Sequence, residues 1–182
     1  LYDTIKRQYL VVVFLLVFFF VISFVSIQGK SLTTDEYSHF QYGMSILDGN
    51  AEHSTDPLMT KMPMSVLNAI PSKIASVLPD NIFKLYLERY IFARLMTTLF
   101  SLLIGLVAFR WSKELYGFIP ALVSLILYVF DPNIIAHSQL TTTDMYATGT
   151  VTFAAYRLWR FSRNRTWQEG LWLAFALGIA QL

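Results

Sequence analysis

The sequence predicts an all-α protein, a polytopic bundle of transmembrane helices with short amphipathic helices on the surface loop that follows the first span. Three observations lead there. Only 14% of the 182 residues are charged while 55% are hydrophobic, against about 25% charged in a typical soluble domain. The apolar residues gather into long charge-free runs rather than recurring at core spacing. Lys and Arg flank those runs with a consistent bias. The net charge of +2 is small and no basic tract accompanies it, so nucleic acid is not an expected partner. The absence of cysteine excludes disulfides, Cys-ligated zinc and iron-sulfur clusters.

Residues 9–27 contain no charge and extend about 28 Å as a helix, close to the roughly 30 Å hydrocarbon core. A signal peptide would have a shorter apolar region and a small-x-small cleavage site, which Ile27-Gln28-Gly29 does not supply. A second span is predicted over 90–109. A third starts at Phe118 and meets Asp131-Pro132. Because residues 118–130 fall short of a crossing, the span is drawn to about 135, with the alternative that it ends at the break under cover of the protein. The fourth span is 145–160. Residues 171–182 begin a fifth that is too short to cross, so the sequence reads as the amino-terminal part of a longer membrane module.

Orientation follows from the cations. Lys6 and Arg7, then Arg110 and Lys113, then Arg157, Arg160, Arg163 and Arg165 fall on one side if the spans alternate. That side is expected to be cytoplasmic, the amino terminus included. The loop 28–89 and the turn 131–144 then share the opposite face with nine of the twelve acidic residues. A bacterial or archaeal plasma membrane is expected rather than the endoplasmic reticulum.

Within the outer loop, Thr33-Thr34-Asp35-Glu36 has the spacing of a capping box, in which the Thr33 hydroxyl and the Glu36 carboxylate satisfy each other's backbone amides and start a helix. Tyr37, Phe40, Met44 and Leu47 follow at helical spacing, and Asp48-Gly49-Asn50 ends the helix. A second amphipathic helix is predicted after Pro63, with Met64, Leu67, Ile70, Ile74, Val77 and Leu78 as its apolar stripe and Pro71 as a kink.

The candidate chemistry lies on this face. Asp35 and Glu36 are neighbours whose side chains diverge by about 100° on a helix, so they need separate roles. Both suit a helix N-terminus electrostatically, and a carboxylate partly desolvated beside a membrane also suits a general base. His39 lies one turn from both acids; with His53, His137 and Asp144 it raises a metal site, the alternative being polar loop residues. Thr143 or Asp144 could equally cap the fourth span. Arg94, about a turn inside the second span, needs a partner in the membrane. Snorkelling, Asp144 and a lipid phosphate are the options, and Lys61 is a second cation on that face.

A first span leading into Thr33-Thr34-Asp35-Glu36-Tyr37, then Lys61-Met62-Pro63, the Arg94-to-Phe100 run and His137-to-Tyr146 ahead of Tyr156-Arg157-Leu158-Trp159-Arg160 resembles the C-type membrane glycosyltransferases, in the branch of the protein O-mannosyltransferases. The resemblance implies inverting transfer of a sugar from a polyprenyl-phosphate donor to a protein, lipid or glycan acceptor hydroxyl on the non-cytoplasmic face. By that similarity Asp35 is the base and Glu36 orients the site. Lys61 and Arg94 bind the donor phosphate. Asp144, with His137, would hold a divalent metal ion, the one cofactor envisaged. The sequence departs from relatives at Lys61-Met62-Pro63-Met64, which lacks a paired proline and a following leucine. A non-catalytic scaffold or lipid-binding subunit is the alternative. A transporter is disfavoured because its polar groups belong near the midplane.

Overall fold

The computed structural model describes residues 2–50, 63–80 and 90–181, with side chains from residue 8 onward. Lys61, His53 and the rest of 51–62 and 81–89 lie outside the described residues, as do the side chains of Lys6 and Arg7. The described residues form helices joined by turns and short loops, with no strand among them. In order they are α1 (Tyr2–Gln28), α2 (Thr34–Leu47), a 3-10 turn (Pro63–Ser65), α3 (Val66–Ser76), α4 (Tyr90–Tyr116), α5 (Phe118–Phe130), α6 (Pro132–His137), α7 (Asp144–Arg163) and α8 (Trp167–Ala180). Two of these are long and apolar enough to cross a membrane, through Gln8–Gln28 and Tyr90–Tyr116; Phe118–Phe130 is a shorter apolar helix.

The long helices alternate in direction around α4. At one end Lys113 donates to the Tyr9 hydroxyl at 2.7 Å, and at the other Arg94 donates to the Ile27 carbonyl, so α1 and α4 are antiparallel. Tyr128 of α5 donates to the Ser101 carbonyl at 2.7 Å while Phe118 packs edge-on against Phe109, reversing the chain again. On α7, Tyr146 sits beside Phe100 and Tyr156 beside Trp111; it therefore descends parallel to α4. The core between these helices includes Val12, Leu15, Phe19, Ile104, Leu125, Val129 and Met145. Two glycines set how closely they approach. A Cβ on Gly149 would lie 2.5 Å from Phe100 Cε1, and one on Gly105 would lie 3.0 Å from Tyr128 Cε1. Small residues at such crossings replace the hydrophobic drive that lipid removes.

The short helices differ from expectation in instructive ways. The stretch 118–135 is two helices. Asp131 caps α6, its carboxylate accepting from the Asn133 and Ile134 amides, and Pro132 occupies the first helical turn where its missing N–H costs nothing. On α2 the buried face is Glu36, Phe40 and Gly43, with Tyr37 turned outward. On α3 the buried residues are Asn68, Ala69, Pro71 and Ala75, whereas Ile74 and Val77 of the expected apolar stripe are exposed. The small face packs on the protein, Ile74 and Val77 point away from it, and Leu67 and Ile70 lie between at intermediate exposure. Gly43 makes this docking feasible, since a Cβ there would overlap the Ser65 carbonyl. α8 starts earlier than the apolar run suggests, because Thr166 accepts a hydrogen bond from the Glu169 amide and caps it.

At the end of the bundle formed by the last turns of α4 and α7, ion pairs run from the surface inward. Glu114 accepts from Tyr156 at 2.8 Å and from Arg110 at 3.1 Å, with Arg160 at 3.6 Å. Glu169 pairs with Arg157 at 2.6 Å and Arg160 at 2.9 Å. Arg157 also lies over the Trp172 ring, 5.2 Å from its centroid.

Candidate functional site

The opposite end is organised by one buried carboxylate. Thr33 and Glu36 form the capping box, the Glu36 amide donating to the Thr33 hydroxyl and the Thr33 amide and hydroxyl donating back to Oε2 at 3.1 and 3.2 Å. This fixes Glu36 on the first turn of α2 with its head turned inward. Arg94, near the start of α4, meets it through two hydrogen bonds, Nε to Oε1 and Nη2 to Oε2, each 2.8 Å. The side chains are 0% and 3% exposed. A paired fork of this kind is the strong form of an Arg–carboxylate contact.

Arg94 does more than neutralise Glu36. Its Nη1 donates to the Ile27 and Lys30 carbonyls at 3.5 and 3.0 Å, and its Nη2 to the Ser31 carbonyl at 2.8 Å. These include carbonyls at and just beyond the C-terminus of α1, which lack intrahelical donors and carry the negative end of the macrodipole. The guanidinium thus ties α1, α2 and α4 at one point. Each of its nitrogens is engaged by Glu36 or by these carbonyls. Among the described residues its anion is Glu36 rather than Asp144.

Glu36 also reaches the second motif. Oε1 accepts from the Thr141 amide at 3.0 Å, joining the first helix after α1 to the segment between α6 and α7. Burial alone would raise the Glu36 pKa, but the Arg94 hydrogen bonds, the Thr141 and Thr33 amides and the Arg94 charge outweigh it, and the carboxyl is held at about 2 from an ordinary 4.5. Glu36 is therefore a fixed anion, unsuited to trade protons near neutrality.

A buried polar layer supports this junction. Asn68 donates to the Ala93 carbonyl at 2.7 Å and to Thr97 at 2.8 Å, and Thr97 lies 3.5 Å from the Tyr146 hydroxyl. Thr98 donates to the Ser138 carbonyl at 2.9 Å, and Ser138 lies 3.4 Å from Ser23. Sequence reasoning missed Asn68, Thr98, Ser138 and Thr141 as members of the site. The hydroxyls of Thr97, Thr98 and Ser101 inside an apolar run are the signal that could have found part of it, since a polar group in hydrocarbon needs a partner. No pattern marks the Thr141 amide.

The remaining candidates sit around this junction. Asp35, the residue before Glu36, is exposed and its carboxylate has no hydrogen bond among the described residues. Asp144 opens α7, three residues beyond Thr141, and its Oδ2 accepts from Thr142 at 3.0 Å and lies 3.1 Å from His137 Nδ1. Thr143 makes no side-chain cap there, so the capping role considered for the Thr-Thr-Asp stretch is not what occupies Asp144. His137 and Asp144 are both about half exposed, at 47% and 57%. Among the described residues no third His, Asp or Glu joins them or any other pair to make a metal cluster; His39 stands apart from this pair, and Lys61 is outside the described residues.

Residues 80–182, more than half of the chain, match the family described as dolichyl-phosphate-mannose-protein mannosyltransferase. The match takes in α4 with Arg94, the Thr141 amide, and the His137 and Asp144 pair, while Asp35 and Glu36 precede it. Comparison with curated proteins and with solved structures gives no match. With its all-helical fold, its two membrane-length apolar helices and this match, the chain belongs to the dolichyl-phosphate-mannose-protein mannosyltransferase family and is a membrane glycosyltransferase of the C type.

Proposed function

We propose that the protein moves a sugar from a polyprenyl-phosphate donor to an acceptor hydroxyl on the non-cytoplasmic face, with inversion at the anomeric carbon. The observation that carries this is the Glu36 carboxylate, which binds Arg94 and the Thr141 amide together. It holds the exposed Asp35 and the segment leading to Asp144 at one end of the helices. Asp35, the carboxylate left unengaged there, takes the acceptor proton as its oxygen attacks the anomeric carbon. Glu36 and Arg94 are positioning residues: they fix α2 against α1 and α4, so that Asp35 is presented on a rigid turn.

The departing lipid phosphate needs charge stabilisation rather than a proton. With Arg94 engaged elsewhere, Lys61 is the protein cation assigned to it. Asp144 and His137, beside Thr142, are the pair that would hold a divalent ion, which would supply positive charge to that phosphate. The acceptor is a protein hydroxyl, the acceptor type in the family description.

Asp35→Asn tests the assignment. In the full-length protein, incubated with a panel of labelled polyprenyl-phosphate sugars, this substitution abolishes transfer and leaves donor binding intact, because it removes a base without altering shape. Retained turnover would remove Asp35 from the reaction.

A further inference from the structure

The far end of the molecule takes no part in the proposed transfer, yet it carries two clefts that share a rim. One, of about 380 Å³, lies between α4, α7 and α8 and is walled by Phe100, Leu103, Gly149 and Phe153. The other, of about 690 Å³, lies between α1 and α4 and is walled by Val12, Val13, Leu16 and Phe109. Both include Leu106 and Arg110. They therefore flank one helix on two sides and converge at a single cation.

Their walls are apolar, and their charged residues collect at that one end. Arg110 is 65% exposed and spends only its Nε on Glu114, so its two terminal nitrogens donate to no described residue. One turn further on, Lys113 donates to the Tyr9 hydroxyl and lies 4.9 Å from the centre of its ring. Arg110 and Lys113 less Glu114 leave one net positive charge at the rim. A tyrosine with its ring against apolar walls and its hydroxyl among cations is the arrangement found at a membrane interface.

We propose that this pair of clefts binds a two-chained anionic phospholipid from the leaflet at the Arg110 end, one acyl chain in each cleft and the phosphate against Arg110 and Lys113. A soluble anion would engage the cations and leave the apolar walls bare. A lipid without net charge would fill the walls and leave Arg110 unanswered. The two clefts meeting at one cation match a molecule with two tails and one charged head.

The test uses the full-length protein in nanodiscs of equimolar phosphatidylglycerol and phosphatidylcholine, extracted in mild detergent, with retained lipid counted by native mass spectrometry. The wild type is expected to retain phosphatidylglycerol about five-fold over phosphatidylcholine, the factor that one net cation supplies near an anionic surface. Arg110→Gln combined with Lys113→Gln leaves Glu114 as the one charge of the three and brings that ratio to parity or below. Val13→Trp, which fills one cleft from an exposed position, lowers retention of two-chained lipid and spares the single-chained lysophosphatidylglycerol. A ratio unchanged by the double substitution, equal retention of both lipids by the wild type, or no retained lipid would each overturn the proposal. Sugar transfer is read separately and bears on the opposite end of the protein.

Discussion

The two ends of the helical bundle use charge in opposite ways. At the Glu36 end one ion pair is buried, forked and surrounded by backbone partners. At the Glu114 end the pairs share partners across α4, α7 and α8 and grade from the exposed Arg110–Glu114 to the nearly buried Arg157–Glu169. A buried pair tolerates almost no displacement, because losing one partner strands a desolvated charge. An exposed network rearranges around water and lipid headgroups at little cost. Rigidity is thus concentrated beside the candidate catalytic residues, and adaptability is left to the exposed pairs around Glu114 at the opposite end.

That contrast can be broken most forcefully at Arg94. Arg94→Ala leaves Glu36 buried without its counter-charge and frees the carbonyls at the end of α1, and is expected to cost about 3 to 5 kcal/mol. Chemical denaturation of the purified protein in detergent measures it. A loss below about 1 kcal/mol would place this pair in the same class as the exposed ones.

Acid titration comes next in size. The folded Glu36 carboxyl has the lower pKa, so the unfolded chain binds the extra proton as pH falls. The stabilisation is complete above the unfolded value of 4.5 and is lost as pH drops toward about 2. Its full loss corresponds to about 3 kcal/mol. Comparing unfolding midpoints of the wild type and Glu36→Gln across that window isolates the contribution. Equal slopes would mean that Glu36 is not the group responsible.

The smallest effect belongs to the other end. Glu114→Gln removes the acceptor shared by Arg110, Tyr156 and Arg160, yet should cost no more than about 1 kcal/mol and less at high salt. A cost as large as that of Arg94→Ala would show that the network is as rigid as the buried pair.

Much of the local structure was legible in the sequence because its causes are local. The Thr33 to Glu36 capping box, the stop at Asp48-Gly49 and the break at Asp131-Pro132 each act over a few residues. The helices that hydropathy delimited extend beyond it: α4 runs to Tyr116 rather than 109, since Arg110, Lys113 and Glu114 are good helix formers and only Gly117, at φ +89°, ends the turn. Hydropathy marks the hydrocarbon, while capping marks the helix. The start of α8 was missed for the same reason, Thr166 and Glu169 being polar.

Tertiary partners were less legible. Arg94 clearly needed an anion, but choosing Glu36 over Asp144 depends on how α2 folds back onto α4, which no spacing encodes. The apolar stripe of α3 is legible in the sequence, but nothing in it shows that Asn68 and Ala69 form the face that packs on the protein. Next to a membrane, large apolar side chains have two hydrophobic destinations, and composition does not separate them.

The break before Pro132 has a further physical consequence. α5 has 13 residues and rises only about 20 Å, some 10 Å less than an average hydrocarbon core. Its outward residues Ile119, Val123, Leu127 and Phe130 are exposed along its whole length, so the apolar strip it offers is about 20 Å tall. A bilayer matched to that strip would be thinner there than elsewhere, and a lipid-linked phosphate would then have less far to rise to reach the level of Asp131 and α6.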